Sequence, residues 1–497
     1  MTEQIAIVSR AESYGQRQAI VEAGRSYTYA ELLDASARAG SALLDGRGDL
    51  DEARVAFSVT PGFAWAATLW GIWRAGGIAV PLPLGAPAPE IEYILDDTGA
   101  QVVVFDEAAA GTLAPLAGRR GIRALTTDGA MAAAHTALPK MRSARRAMIL
   151  YTSGTTSRPK GVVSTHDNIS AQIGTLVEAW EWSAEDRILL CLPLHHVHGI
   201  INVVSCALWS GALCEMLPRF DAATVTERFA SGSLTLFMAV PTIYTRLIAA
   251  WEAASPEYRA QVSEGCRRMR LMVSGSAALP VATLERWKEI SGHTLLERYG
   301  MTEIGMALSN PLHGRRVPGS VGGPLPGVEV RLADESGAPV ANGTEGEIEV
   351  RGASVFGEYW NKPEATRTAF RDGWFRTGDT AVVENGVYRI LGRTSIDIIK
   401  TGGHKVSALE IEEVLRRHPA IADCAVVGIA DAEWGERVAA AVVLRAGSSL
   451  RLEELRDWAR EQIATYKMPS RLLMLTELPR NAMGKVTKPA VAKLFTS

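Results

Sequence analysis

The sequence predicts an α/β protein: a large N-terminal part of parallel sheets covered by helices, with a β-rich subdomain, then a small α+β C-terminal part. Three observations predict it. Short apolar runs alternate with helical periodicity up to about residue 300. From about Gly319, short alternating strands separated by Gly, Asp and Asn take over. Past residue 395 helix and strand mix again, over a length normal for one compact unit. A chain of 497 residues is too long for a single core. The expected division is 1–394, with the β-rich subdomain at about 319–394, followed by 395–497.

In chain order, 27–44 has helical spacing, 54–59 reads as a strand, 63–75 as an apolar helix, and 78–82 and 100–105 as strands. The run 147–150 is a short buried strand. It opens into YTSGTTSRPKG, residues 151–161, which brings backbone N–H groups, hydroxyls and one ammonium to a small volume. Phosphate oxygens suit that arrangement, because fixed donors replace their water. A polar surface turn is the bland alternative, and the spacing is not that of a Walker loop. Strands at 187–192, 234–240, 271–273 and 294–297 run into PLHHVHG, PTIYTR, SGSAALP and RYGMTE. Ligands of open α/β sheets bind at the carboxyl ends of strands, so these clusters are expected to face one cleft. Strands follow at 328–332, 346–350 and 387–391. The last part carries helices at 408–417 and 450–464 and strands at 423–428 and 438–444.

Apolar residues make up 47% and charged residues 22% of the chain, the balance of a soluble globular protein. Net charge is −3 with no basic block, which argues against a nucleic-acid partner. Five scattered cysteines without a C-x-x-C suit reduced thiols and a cytoplasmic location. The first residues carry acids and lack the apolar run of a signal peptide. The uncharged stretch 195–214 contains three histidines and reads as buried core, not as a membrane span.

Four more clusters sharpen the phosphate reading: ERYGMTE (297–303), TGD (377–379), GRTSIDIIKTGG (392–403) and PRNAMGK (479–485). With the 151–161 loop, in this order, they resemble the adenylate-forming superfamily of acyl-CoA synthetases, luciferases and carrier-loading adenylation domains, over nearly the whole chain. The resemblance implies that a carboxylate attacks ATP, expels pyrophosphate, and is then passed as an acyl group to a thiol, with Mg²⁺ and coenzyme A. By its pattern, Thr152, Ser153, Gly154, Thr155, Thr156 and Lys160 would hold phosphates. Thr302 and Glu303 would meet ATP and, with Thr155, Mg²⁺. Gly275, Ser276, Ala277, Tyr299 and Gly300 would line the adenine, and Asp379 and Arg393 the ribose. Lys485 would bridge carboxylate and α-phosphate, and His196 would gate the acyl site. Rotation of the small domain about Ser395 would exchange Lys485 for the Gly402-Gly403 face. Serine at 395 and Ser157 in the phosphate loop depart from the usual pattern.

The acid is read from Arg246 in PTIYTR and Arg298 in ERYG. Cations facing an acyl pocket call for a second carboxylate on the substrate. The pair resembles the malonyl-CoA synthetase branch, so malonate, and secondarily methylmalonate, is the expected dicarboxylate, with His198 and Met306 as pocket wall. An internal ion pair of Arg246, or its contact with a coenzyme A phosphate at the surface, is the alternative. An aryl- or other acyl-CoA synthetase and a free-standing carrier-protein-loading enzyme share the motifs, and a nucleotide sensor could dispense with Lys485, Asp379 and Glu303.

Overall fold

The computed structural model describes residues 4–152, 159–480 and 485–495. Two large sheets form the body of the chain. One has seven strands in the order Glu358–Tyr359, Lys160–Thr165, Arg146–Thr152, Ile78–Pro81, Arg54–Ser58, Val102–Phe105, Arg123–Thr126. Its centre is parallel. The expected strand at 147–150 proves to be half of a hairpin: Arg146–Thr152 turns back as Lys160–Thr165, with Thr152 opposite Lys160. The short strand Glu358–Tyr359 adds to the edge of that hairpin.

The second sheet has nine strands, with Arg187–Leu190, Leu236–Ala239, Leu271–Ser274 and Leu296–Met301 side by side and parallel. Their carboxyl ends therefore share one edge, as expected. The N-terminal hairpin Gln18–Glu22 and Arg25–Thr28 joins this sheet beside Leu213–Met216. Sequence periodicity did not foretell that pairing, because the partner strand is remote in the chain.

Local chemistry explains the helices that cover these sheets. Thr28 and Glu31 form a reciprocal cap at the start of helix Tyr29–Leu44, which buries Leu32, Ala35, Ala39 and Leu43. It packs on helix Phe63–Arg74, whose Trp65, Trp70 and Trp73 are fully buried. Gly71 permits the close approach, since a Cβ there would meet Ala39 Cβ at 2.7 Å. The stretch expected as core is core: a π-helix, His198–Ser205, continues into Cys206–Ser210, nearly all buried. Among the described residues no helix is long and apolar enough to cross a membrane. All five cysteines are buried and unpaired.

A five-stranded β sheet follows, built on Val328–Ala333, Gly346–Gly352, Trp374–Glu384 and Val387–Arg393. From Ile399 onward, buried side chains form apolar clusters of their own around the antiparallel pair Ile421–Asp431 and Gly435–Leu444. Ser395 sits in the turn between Val387–Arg393 and Ile398–Thr401. Asp397 closes that turn, donating its N–H to Arg393 O at 2.7 Å and accepting the Arg393 N–H on Oδ2 at 2.9 Å. Lys488 reaches the same carboxylate at 2.5 Å and Glu412 at 2.8 Å, all three largely buried. Across the turn, the Val281 N–H donates to Glu413 at 3.2 Å and the Ser407 hydroxyl to Leu391 O at 2.5 Å.

Candidate active site

Strand Leu296–Met301 and the turn after it deliver the centre of the site. Successive side chains point to opposite faces, so Arg298 and Tyr299 serve different neighbours. The Tyr299 hydroxyl donates to Asp379 Oδ2 at 2.5 Å, and Arg393 pairs with Oδ1 at 3.0 Å. Asp379 and Arg393 lie opposite each other in the β-rich sheet, which fixes the pair. Burial raises the Asp379 carboxyl above its ordinary range, against the pull of Arg393. The Asp379 N–H donates to Thr377 Oγ1 at 3.1 Å.

Glu303 is 5% exposed and accepts the Tyr359 hydroxyl on Oε1 at 2.9 Å. Its Oε2 is buried with no hydrogen-bond partner among the described residues. An orphaned carboxylate oxygen is a hard donor suited to Mg²⁺, so these residues fit that ion. Thr302 is half-buried beside it. The Lys160 ammonium stands 4.9 Å from the centre of the Tyr359 ring, which brings the end of the phosphate-loop hairpin to Glu303. Thr152 ends the first strand of that hairpin. Ser153, Gly154, Thr155 and Thr156, with Ser157, lie outside the described residues.

On the other face, Arg298 is 4% exposed and lies across Gly275. It makes a long 3.5 Å contact to the Ser276 hydroxyl, which also meets His198 Nδ1 at 3.2 Å. Ser276 holds φ +69°, a left-handed conformation unusual for serine and typical of strained functional turns. Ala277 is exposed beyond it. The Arg298 Nε has no partner and no carboxylate pairs with the guanidinium among the described residues; burial pulls it down to about 9. Met306 is buried on the antiparallel return strand against Gly300, where a Cβ would meet its Cε at 2.6 Å.

Lys485 comes from the C-terminal part into this cluster. Burial, then Arg298 and Arg393, depress its ammonium, and Asp379 opposes them. Burial and then His195 and Lys485 push His196 down to about 2, and His198 falls well below its ordinary value through burial, Arg298 and Lys485. Both imidazoles are therefore neutral. Arg298 and Arg393 both act on the Lys485 ammonium, with Asp379 opposing them, so among the described residues three cations converge here, which suits a site for anions.

One expectation needs correction. Arg246 lies in the second turn of helix Pro241–Ala253 and is exposed, with no ion pair or side-chain hydrogen bond to a described residue. The argument from burying a cation therefore applies to Arg298 alone. Gly402 and Gly403 form an exposed turn with φ +55° and +80°, Gly402 packed under Trp434, while Lys485 is the group in the cluster. Sequence reasoning missed Tyr359. It lies in VFGEYWNKPE, a run whose resemblance points to the malonyl-CoA synthetase branch but in which nothing local singles out the tyrosine.

Known proteins resemble this chain over nearly its whole length. A family model described as AMP-binding enzyme matches residues 7–360, and one described as AMP-binding enzyme C-terminal domain matches 410–485. The chain is 48% identical to a mitochondrial malonate–CoA ligase of Mus musculus, covering 98% of this chain and 90% of that one. ATP-bound MatB from Rhodopseudomonas palustris superposes with a TM-score of 0.91 at 35% identity, covering 99% of both chains. Its apo form, at the same identity and coverage, gives 0.81.

Proposed function

The chain belongs to the AMP-binding enzyme family, and from that premise we infer that it is an AMP-forming acid–thiol ligase joining malonate to coenzyme A. ATP and malonate form an acyl-adenylate with release of pyrophosphate, and the coenzyme A thiol then displaces AMP. The observation that carries the choice of acid is the buried Arg298, which lies against Gly275 with no carboxylate partner among the described residues. A substrate with a second carboxylate supplies the missing partner.

In the first step the near carboxylate of malonate attacks the α-phosphorus, and negative charge converges there. We assign Lys485 to neutralise it and Lys160 to the outer phosphates, since preplaced cations act where charge develops. Asp379 would accept the ribose hydroxyls while Tyr299 and Arg393 hold its carboxylate in place. Glu303 and Thr302, with Thr155, would hold Mg²⁺, which when bound withdraws charge from phosphate oxygens. His196, neutral and next to Lys485, would wall the reacting carboxylate. In the second step we assign the Gly402-Gly403 turn to replace Lys485, by rotation of 395–497 about Ser395 against 1–394.

Methylmalonate differs by one methyl, which an apolar wall such as Met306 separates by only about 10–200-fold, so it is a secondary substrate. Acetate leaves Arg298 unpaired and is rejected by roughly 10⁴-fold. We place the protein in the cytoplasm on its reduced thiols; the mitochondrial designation belongs to the mouse relative. The test is AMP release from malonate, methylmalonate, acetate and benzoate, with and without coenzyme A. Malonate must lead, and its full turnover must need coenzyme A. Benzoate or acetate in the lead would overturn the reading.

A further inference from the structure

Glu358–Tyr359 is a two-residue strand, yet it stands between two separate parts of the nucleotide machinery. Tyr359 pairs with Val162 in strand Lys160–Thr165, so the backbone that carries it is anchored to the hairpin that carries Lys160. Three residues earlier, the Phe356 N–H donates to the backbone carbonyl of Glu303 at 2.8 Å. The side chain repeats this bridge: the ring lies under the Lys160 ammonium and the hydroxyl donates to Glu303. The ring itself has little freedom. It is 7% exposed, packs at 4.7 Å on Phe356, and its own N–H is held by Thr366 at 2.9 Å.

We propose that Tyr359 is a positioning residue that couples the metal-facing carboxylate of Glu303 to the phosphate-facing ammonium of Lys160. Its hydroxyl occupies Oε1 and so leaves Oε2 as the buried oxygen free for a cation. Its ring face steadies Lys160 by cation–π attraction without supplying a competing anion, which a carboxylate at this position would do. Each contact serves one partner, so the two can be removed separately. Tyr359→Phe keeps the ring and deletes the hydroxyl; Tyr359→Leu deletes both.

This rests on the ATP reading, and the test keeps the two apart. ATP binding to the full chain is measured by calorimetry, with excess chelator and then with saturating Mg²⁺, alongside the melting temperature of each variant. Wild type binds ATP in both conditions and more tightly with Mg²⁺; no binding in either would sink the ATP reading itself. Tyr359→Phe is expected to bind metal-free ATP within twofold of wild type and to lose at least fivefold of the Mg²⁺ enhancement. Tyr359→Leu is expected to weaken metal-free binding as well, by fivefold or more. If Tyr359→Phe retains the full enhancement, or if both variants lose metal-free binding equally, the coupling role is wrong. A melting temperature lowered in either variant with both affinities unchanged assigns Tyr359 to packing and also overturns the proposal.

Discussion

Arg298 occupies the space that a side chain at position 275 would need: a Cβ on Gly275 would lie 2.5 Å from the guanidinium carbon. The glycine thus permits the cation to lie flat at the end of strand Leu271–Ser274. Gly275→Ala should leave the fold intact, because the obstructed group is the end of a flexible side chain, and should displace the guanidinium. The Michaelis constant for malonate is expected to rise about tenfold or more, the scale of one charge-assisted bond, and by more than that for ATP. Steady-state kinetics with each substrate varied would check it.

The two arginines should not be equivalent. Arg298 is buried and Arg246 exposed, and charge pairs in bulk-like dielectric are weak. Arg298→Leu is expected to cost malonate activation roughly a hundredfold more than Arg246→Leu, while ATP binding survives in both. Equal losses would return Arg246 to the centre of the pocket.

Lys485→Ala should abolish adenylate formation yet spare thioester formation from preformed malonyl-adenylate. The pH profile carries the same signature. The depressed Lys485 ammonium loses its proton at lower pH than an ordinary lysine, so adenylation should fall early on the alkaline side. Lys485→Arg should move that limb to higher pH, and an unmoved limb would point to another group.

Lys488 is a stability prediction. Its ammonium is the shared partner of buried Asp397 and Glu412, so Lys488→Met leaves two carboxylates facing each other. Breaking such a pair typically costs about 3–5 kcal/mol. Denaturant melts of the full chain should show the loss in the transition of the C-terminal part.

Glu297 sets a pH dependence of stability. It is buried, accepts the Gly319 N–H at 3.0 Å, and faces Glu413; burial pushes its carboxyl up to about 8. The folded state therefore binds its proton over a range where the unfolded state, with a pKa of about 4.3, does not. Its stabilising contribution is fully present below that unfolded value and is lost as pH rises towards 8. Glu297→Gln should flatten the fall in melting temperature between those limits and raise it at the alkaline end. An unchanged slope would contradict the assignment.

The sequence made the alternation of strands and helices legible because apolar period and turn residues are local signals. It also made legible the residues gathered at the strand ends, since Arg298, Tyr299 and Glu303 stand in one short motif. What it hid depends on remote pairing. The return strand Lys160–Thr165 begins with a lysine and glycine that read as loop, and Tyr359 acquires its meaning only when a two-residue edge strand docks beside that hairpin. The exposure of Arg246 was hidden for the same reason: a strand-end cluster fixes the edge on which a residue falls, but not whether the next helix turns it inward.

Strand Leu296–Met301 has one further implication. Because neighbours on it look to opposite sides, position 298 can change without moving the tyrosine that steadies Asp379 one residue later. On the proposed role of Arg298, a new acid preference is therefore within reach of a single codon that leaves Tyr299 and Asp379 in place. Deletion of one residue upstream would be far less forgiving, since it would exchange the two sides at once and cost the enzyme both talents together.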